Sequence, residues 1–141
     1  MPAHFEEDIM KFRAIGVILL PICLAAAAQA QEAGMTEYMN ACATCHGEGG
    51  AGDGPLAEFL TVTPADLTQI SAQNDGAFPL LKVIQTIDGR AGTRGHGGPM
   101  PVWGARFKED LSGEIGAYAS EIVTRGRILA LAEYVESLQA Q

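Results

Sequence analysis

Apolar side chains recur at three- and four-residue steps in three stretches of this chain, the spacing of one helical face. Residues 34–46 read as a helix through Met35, Tyr38, Met39 and Cys42. Residues 78–88 read as a second, with Leu80, Leu81, Ile84 and Ile87 on one side. The third and strongest runs from Thr124 or Arg125 to Leu138, with Ile128, Leu131, Val135 and Leu138 in line and Tyr134 beside them. A short helix is expected over residues 66–72, after Pro64. Between these lie loops. Residues 47–55 hold five glycines in nine positions, and residues 89–98 are again glycine-rich. Pro99 and Pro101 stiffen the backbone around Met100. Residues 104–119 are expected to be irregular, with at most a helical turn. No stretch alternates long enough for a sheet, and neither an internal repeat nor a second domain boundary is visible. A few helices joined by long loops are the usual outcome where a chain wraps a cofactor.

The chain has 141 residues, enough for one domain with a modest core. Seventeen glycines and 6% aromatics suit a loop-rich protein, in which a bound prosthetic group would supply the missing apolar centre. A formal net charge of -8 argues against non-specific nucleic-acid binding.

Residues 1–30 read as an export signal. Met10-Lys11-Phe12-Arg13 gives a positive start, residues 14–28 are uncharged, and Ala28-Gln29-Ala30 has the small-x-small pattern of a cleavage site, placed after Ala30. The acidic residues Glu6, Glu7 and Asp8 are foreign to such a start, so translation is expected to begin at Met10. The apolar run falls short of the roughly 20 residues of a spanning helix, so removal is preferred to a retained anchor. Ile22 before Cys23 does not suit a lipoprotein signal, and Cys23 would leave with the leader. The mature chain then keeps two cysteines, and seven Lys and Arg against fourteen Asp and Glu, a net of -7.

Both remaining cysteines stand in Cys42-Ala43-Thr44-Cys45-His46. Two thiols three residues apart followed at once by an imidazole form the attachment signature of a c-type haem. Each thiol would add across one porphyrin vinyl group, and His46 would sit beneath the iron as proximal ligand. A thioredoxin-like pair would need a strand-helix-strand setting, which is absent. A zinc site from Cys42, Cys45, His46 and His96 would ask two adjacent residues to share one tetrahedron. Covalent haem c points to electron transfer.

The other iron face needs a second ligand. Met100 is preferred, because two prolines hold it at the end of a flexible loop; its soft thioether would favour reduced iron and so raise the potential. His96, in a glycine-flanked loop, is the rival. Met35 and Met39 are too close to the motif to cross to the far haem face. A ligating imidazole donates its other N–H to a carbonyl or carboxylate, and the Pro55 carbonyl is the candidate acceptor. Trp103 would offer its N–H to a haem propionate. Arg90 would neutralise a propionate, whereas Arg94 reads as ordinary surface charge. Asp53, Asp66 and Asp88 read as turn or cap residues.

With these residues in view, residues 34–141 resemble the bacterial class I cytochromes c. Gly34 and Tyr38 match the glycine and aromatic of that family's first helix, Gly54-Pro55 its Gly-Pro pair, residues 100–104 its Met-Pro-x-Trp-Gly segment, and residues 129–138 with Tyr134 its closing helix. The resemblance implies a small all-α cytochrome c fold around one covalent haem, the first and last helices crossing near Gly34 and Tyr134, and one haem edge open for electron exchange. Two departures stand out. The 104–120 loop is longer than in compact members, and the acidic balance differs from the basic mitochondrial proteins, so their lysine docking ring is not carried over.

The leading expectation is a soluble periplasmic one-electron carrier, not an enzyme, that meets redox partner proteins and keeps no membrane span after signal removal. A haem c subunit of a periplasmic dehydrogenase or reductase complex is the alternative. A haem-based sensor or peroxidase would need an open sixth position and comes last.

Overall fold

The structure is a computed structural model that describes Gln29, residues 31–92 and residues 100–140. The expectations for the export signal, Cys23, Arg94, His96 and Pro99 lie outside the described residues. The chain divides into two units, Met1–Glu32 and Ala33–Gln141, and the fold described below belongs to the second. All its regular elements are helical, with no strand among the described residues, as in a small all-α cytochrome c fold.

Helix α1 covers residues 33–41 of this unit. Its inward face is Gly34, Tyr38 and Cys42, spaced by four. Met35 and Met39 face solvent, contrary to the apolar line expected for them. After a turn at Cys42 the chain re-enters a single helical turn, α2 (Ala43–His46). The glycine loop then explains why α2 is so short. Gly52, Gly54 and Leu56 turn their N–H groups back onto the carbonyls of His46, Cys45 and Thr44, at 2.8, 3.2 and 2.9 Å. These are the carbonyls a helix end leaves without partners. A Cβ at Gly54 would strike the carbonyl oxygens of Ala43 and Thr44, so only glycine lets the loop fold this closely.

In place of one short helix over residues 66–72 there are two 3₁₀ turns, Leu67–Gln69 and Ala72–Asn74. Asp66 caps the first by accepting from the Thr68 N–H at 2.9 Å, the role expected of it. Helix α3 (Leu80–Asp88) starts two residues later than the periodicity suggests. Phe78 precedes Pro79, and the residue before a proline is pushed out of the helical region. Val83 and Ile87 are buried, and Leu81 points to solvent.

Helix α4 (Trp103–Ser137) replaces the irregular 104–119 stretch. It is helical on both sides of a kink at Gly116, whose φ of 79° and ψ of 163° belong to a region open essentially to glycine. Periodicity misses its first half because that half buries only Gly104 and Phe107 and leaves no apolar stripe to detect. The second half carries the expected face: Ile128, Leu131, Tyr134 and Val135 are buried.

The core joins Tyr38 and Cys42 to Val83 and Ile87 of α3 and to the buried face of α4. Tyr38 and Leu131 are fully enclosed. Burying a side chain of Leu size contributes about 1.5–3 kcal/mol. Tyr38 also donates its hydroxyl to the Gly47 carbonyl at 2.7 Å, tying α1 to the start of the glycine loop. The Tyr38 and Tyr134 rings meet 5.1 Å apart where α1 crosses α4.

Candidate haem site

Cys42 is the turn residue between α1 and α2, and Cys45 lies in α2. The His46 N–H donates to the Cys42 carbonyl at 2.9 Å, so both thiols and the imidazole come from one hydrogen-bonded turn. Neither cysteine forms a disulfide. Cys42 is buried, and burial, reinforced by the negative charge of Glu37, pushes its thiol up to about 12.

His46 is buried, and burial lowers its pKa, so the imidazole is neutral near pH 7, the form that binds metal. Its Nδ1 lies 3.0 Å from the carbonyl oxygen of Ala65. A carbonyl oxygen only accepts, so Nδ1 carries the proton and Nε2 has the lone pair for a metal. The acceptor expected at Pro55 is thereby corrected to Ala65. The cause is the fold of the glycine loop: its donors return to the end of α2, which leaves Pro55 exposed. The following segment passes His46 instead, pinned by the Leu67 N–H donating to the Gly50 carbonyl at 2.7 Å. A backbone acceptor carries no side-chain signature, so nothing in the identity of Ala65 marks it.

Two cavities are bordered by both Cys42 and His46. The larger, about 450 Å³, lies between Cys42, His46, Leu67, Val83, Leu131 and Met100. The smaller, about 80 Å³, is bordered by Cys42, Cys45, His46, Pro64, Met100 and Trp103. Cys42, His46 and Met100 border both. The larger volume falls in the range of cofactor sites, about 300–1,000 Å³. Gln73, Asn74 and Lys82 supply a polar margin that sequence reasoning missed. The apolar walls, the two thiols, the fixed imidazole and a thioether sulfur on one shared space fit a covalently attached haem.

Trp103 borders the smaller cavity and stacks on Phe107 with ring centroids 5.3 Å apart, while the Arg106 guanidinium lies 5.5 Å from its ring. Arg90 is not brought to either cavity. Its guanidinium is held by Asp88 at 2.6 and 2.8 Å and by Glu121 at 2.7 and 3.2 Å, and these two carboxylates replace the propionate expected for it. Among the described residues, no group of three or more His, Cys, Asp and Glu is placed to hold a metal ion; His96 of the zinc alternative lies outside them. Nor is any described helix long and apolar enough to cross a membrane.

The family model described as cytochrome C oxidase, cbb3-type, subunit III matches residues 29–119. No curated protein and no solved structure matches the chain.

Proposed function

Because the chain belongs to the cbb3-type cytochrome c oxidase subunit III family, a family of c-type cytochromes, we propose that it is an exported electron carrier with its haem iron between His46 and Met100. As a member of that family it carries covalent haem c and serves haem-based electron transfer, with redox proteins as its partners. When bound, the haem supplies the one-electron ferric/ferrous couple.

The chain's own residues do the rest. Cys42 and Cys45 anchor the porphyrin through thioethers, and His46 presents Nε2 because Ala65 holds Nδ1. Met100 would offer a soft thioether sulfur as the second protein ligand. Leu67, Val83 and Leu131 line the larger cavity and would keep water from a bound haem. Among the described residues, Lys82 rather than Arg90 lines the larger cavity, and it is available to a propionate. The carrying observation is that Cys42, His46 and Met100 border the same two cavities. The leader pattern ending at Ala30 supports export to the periplasm.

The absorption spectrum of the protein purified from the periplasm tests this reading. An alkaline pyridine spectrum of haem c, a sulfur-to-iron band in the oxidised form and little carbon monoxide binding by the reduced form at neutral pH are expected. A colourless protein, or pigment released into acidified organic solvent, would overturn it.

The family to which the chain belongs favours a second reading, a haem c subunit of an oxidase. Mild solubilisation followed by size exclusion separates the two, since a subunit elutes with a larger haem-containing complex and a free carrier elutes alone.

A further inference from the structure

The segment that presents Met100 is bracketed in sequence by Arg90 and Gly104, and one cluster of charges holds both. Asp88 and Arg90 form a fork at the end of α3. The backbone of Gly104 lies against this fork so closely that a Cβ there would run into Asp88 Oδ1 and Arg90 Nε. On its outer side the Arg90 guanidinium is bound by Glu121, which also takes Lys108 at 3.1 Å. Lys108 belongs to the half of α4 before the Gly116 kink and Glu121 to the half after it. A single carboxylate thus joins three pieces: the end of α3, the half-helix that follows Met100, and the half-helix that packs on the core.

We propose, resting on the His46/Met100 reading, that Glu121 is a positioning residue that keeps Met100 at the iron by clasping Arg90 and Lys108 together. Glu121 itself borders neither cavity. Its effect passes through the end of α3 and the start of α4, the elements on either side of Met100 in the chain. Gly89 packs near Val102, so the cap and the helix start already touch, and the clasp closes the side away from the cavities.

The test compares wild-type holoprotein with Glu121→Gln, Glu121→Ala and Arg125→Ala. Arg125 meets Glu121 at 2.9 Å from within the same half of α4 and bridges to no other piece, so it serves as the control. The readouts are carbon monoxide binding by the reduced protein, the sulfur-to-iron band of the oxidised protein and the thermal midpoint. Glu121→Ala should raise the rate of carbon monoxide binding about fivefold, the scale of effect set by a lost set of solvent-screened ion pairs. Glu121→Gln should fall between it and wild type, and Arg125→Ala should match wild type. Equal rates in wild type and both Glu121 variants overturn the clasp. A rise in Arg125→Ala as large as in Glu121→Ala also overturns it, because loss of surface charge alone would then suffice. A lowered thermal midpoint without a faster rate assigns Glu121 to stability only and overturns the positioning role. Wild type that already binds carbon monoxide rapidly and lacks the band overturns the Met100 ligation itself, a distinct failure.

Discussion

Gly34 in α1 sits directly on the backbone of Ala130 in α4, where a Cβ would meet the Ala130 carbonyl oxygen. Tyr134, one turn further along α4, completes the contact from its own Cβ. The two helices approach this closely because the smallest residue faces main chain, and the Tyr38–Tyr134 ring pair packs beside it. Gly34→Ala should therefore push α1 off α4 and cost about 1–3 kcal/mol through overpacking, despite the better helix propensity of alanine. Denaturant unfolding of the haem-loaded protein checks this. An unchanged or raised midpoint would refute the close approach.

Met100→Ala should open the sixth position. The reduced variant is expected to bind carbon monoxide fully at neutral pH, to lose the sulfur-to-iron band when oxidised, and to have a lower reduction potential. Redox titration and stopped-flow binding measure these. A variant indistinguishable from wild type would remove Met100 from the iron and reopen the sensor reading.

Acid should weaken the protein through two carboxylates. The Arg90 hydrogen bonds hold Asp88 below its ordinary value, and Arg90, Arg125 and Lys108 together do the same for Glu121. Both groups have folded-state values under the ordinary range of about 4, so the unfolded chain binds more protons in acid. Their contribution is complete above about pH 4 and is lost as pH falls through the folded-state values. Thermal midpoints measured from neutral pH down into this range should fall more steeply for wild type than for a Glu121→Gln variant. Parallel curves would show that Glu121 adds nothing to the pH dependence.

Arg127 links α4 to α1. It donates two hydrogen bonds of 2.8 Å to Glu37, and its guanidinium lies 3.9 Å from the centre of the Phe107 ring. Arg127→Ala should cost about 1–2 kcal/mol, and Arg127→Lys should recover only part, since an ammonium cannot make the paired contact. Equal stability of the Lys variant and wild type would reduce the contact to simple charge.

Gly116→Ala should destabilise by about 1–3 kcal/mol, the range for a non-glycine residue at φ 79° and ψ 163°. The substitution would favour a straight α4, and carbon monoxide binding by the variant reports whether straightening also disturbs Met100. A neutral effect on stability would show that the kink is not held at this residue.

The chain order alone determined the features whose causes lie within a few residues. The cysteine pair and His46 occupy one turn, so their chemistry is written in adjacent letters. The buried face of the closing helix follows from the 3.6-residue period, and Asp66 caps its turn from two residues away. Only the tertiary structure decided what depends on distant backbone. Ala65 replaces Pro55 as the partner of His46 because the glycine loop spends its donors on α2, and a main-chain acceptor leaves no trace in residue type. Arg90 turns to Glu121, 31 positions away, because the kink at Gly116 brings the two halves of α4 against the end of α3. The first half of α4 escaped the periodicity because it buries too few side chains for a stripe. Local rules specify groups and turns, whereas the choice among equivalent carbonyls and carboxylates is made by whichever packing brings one within reach.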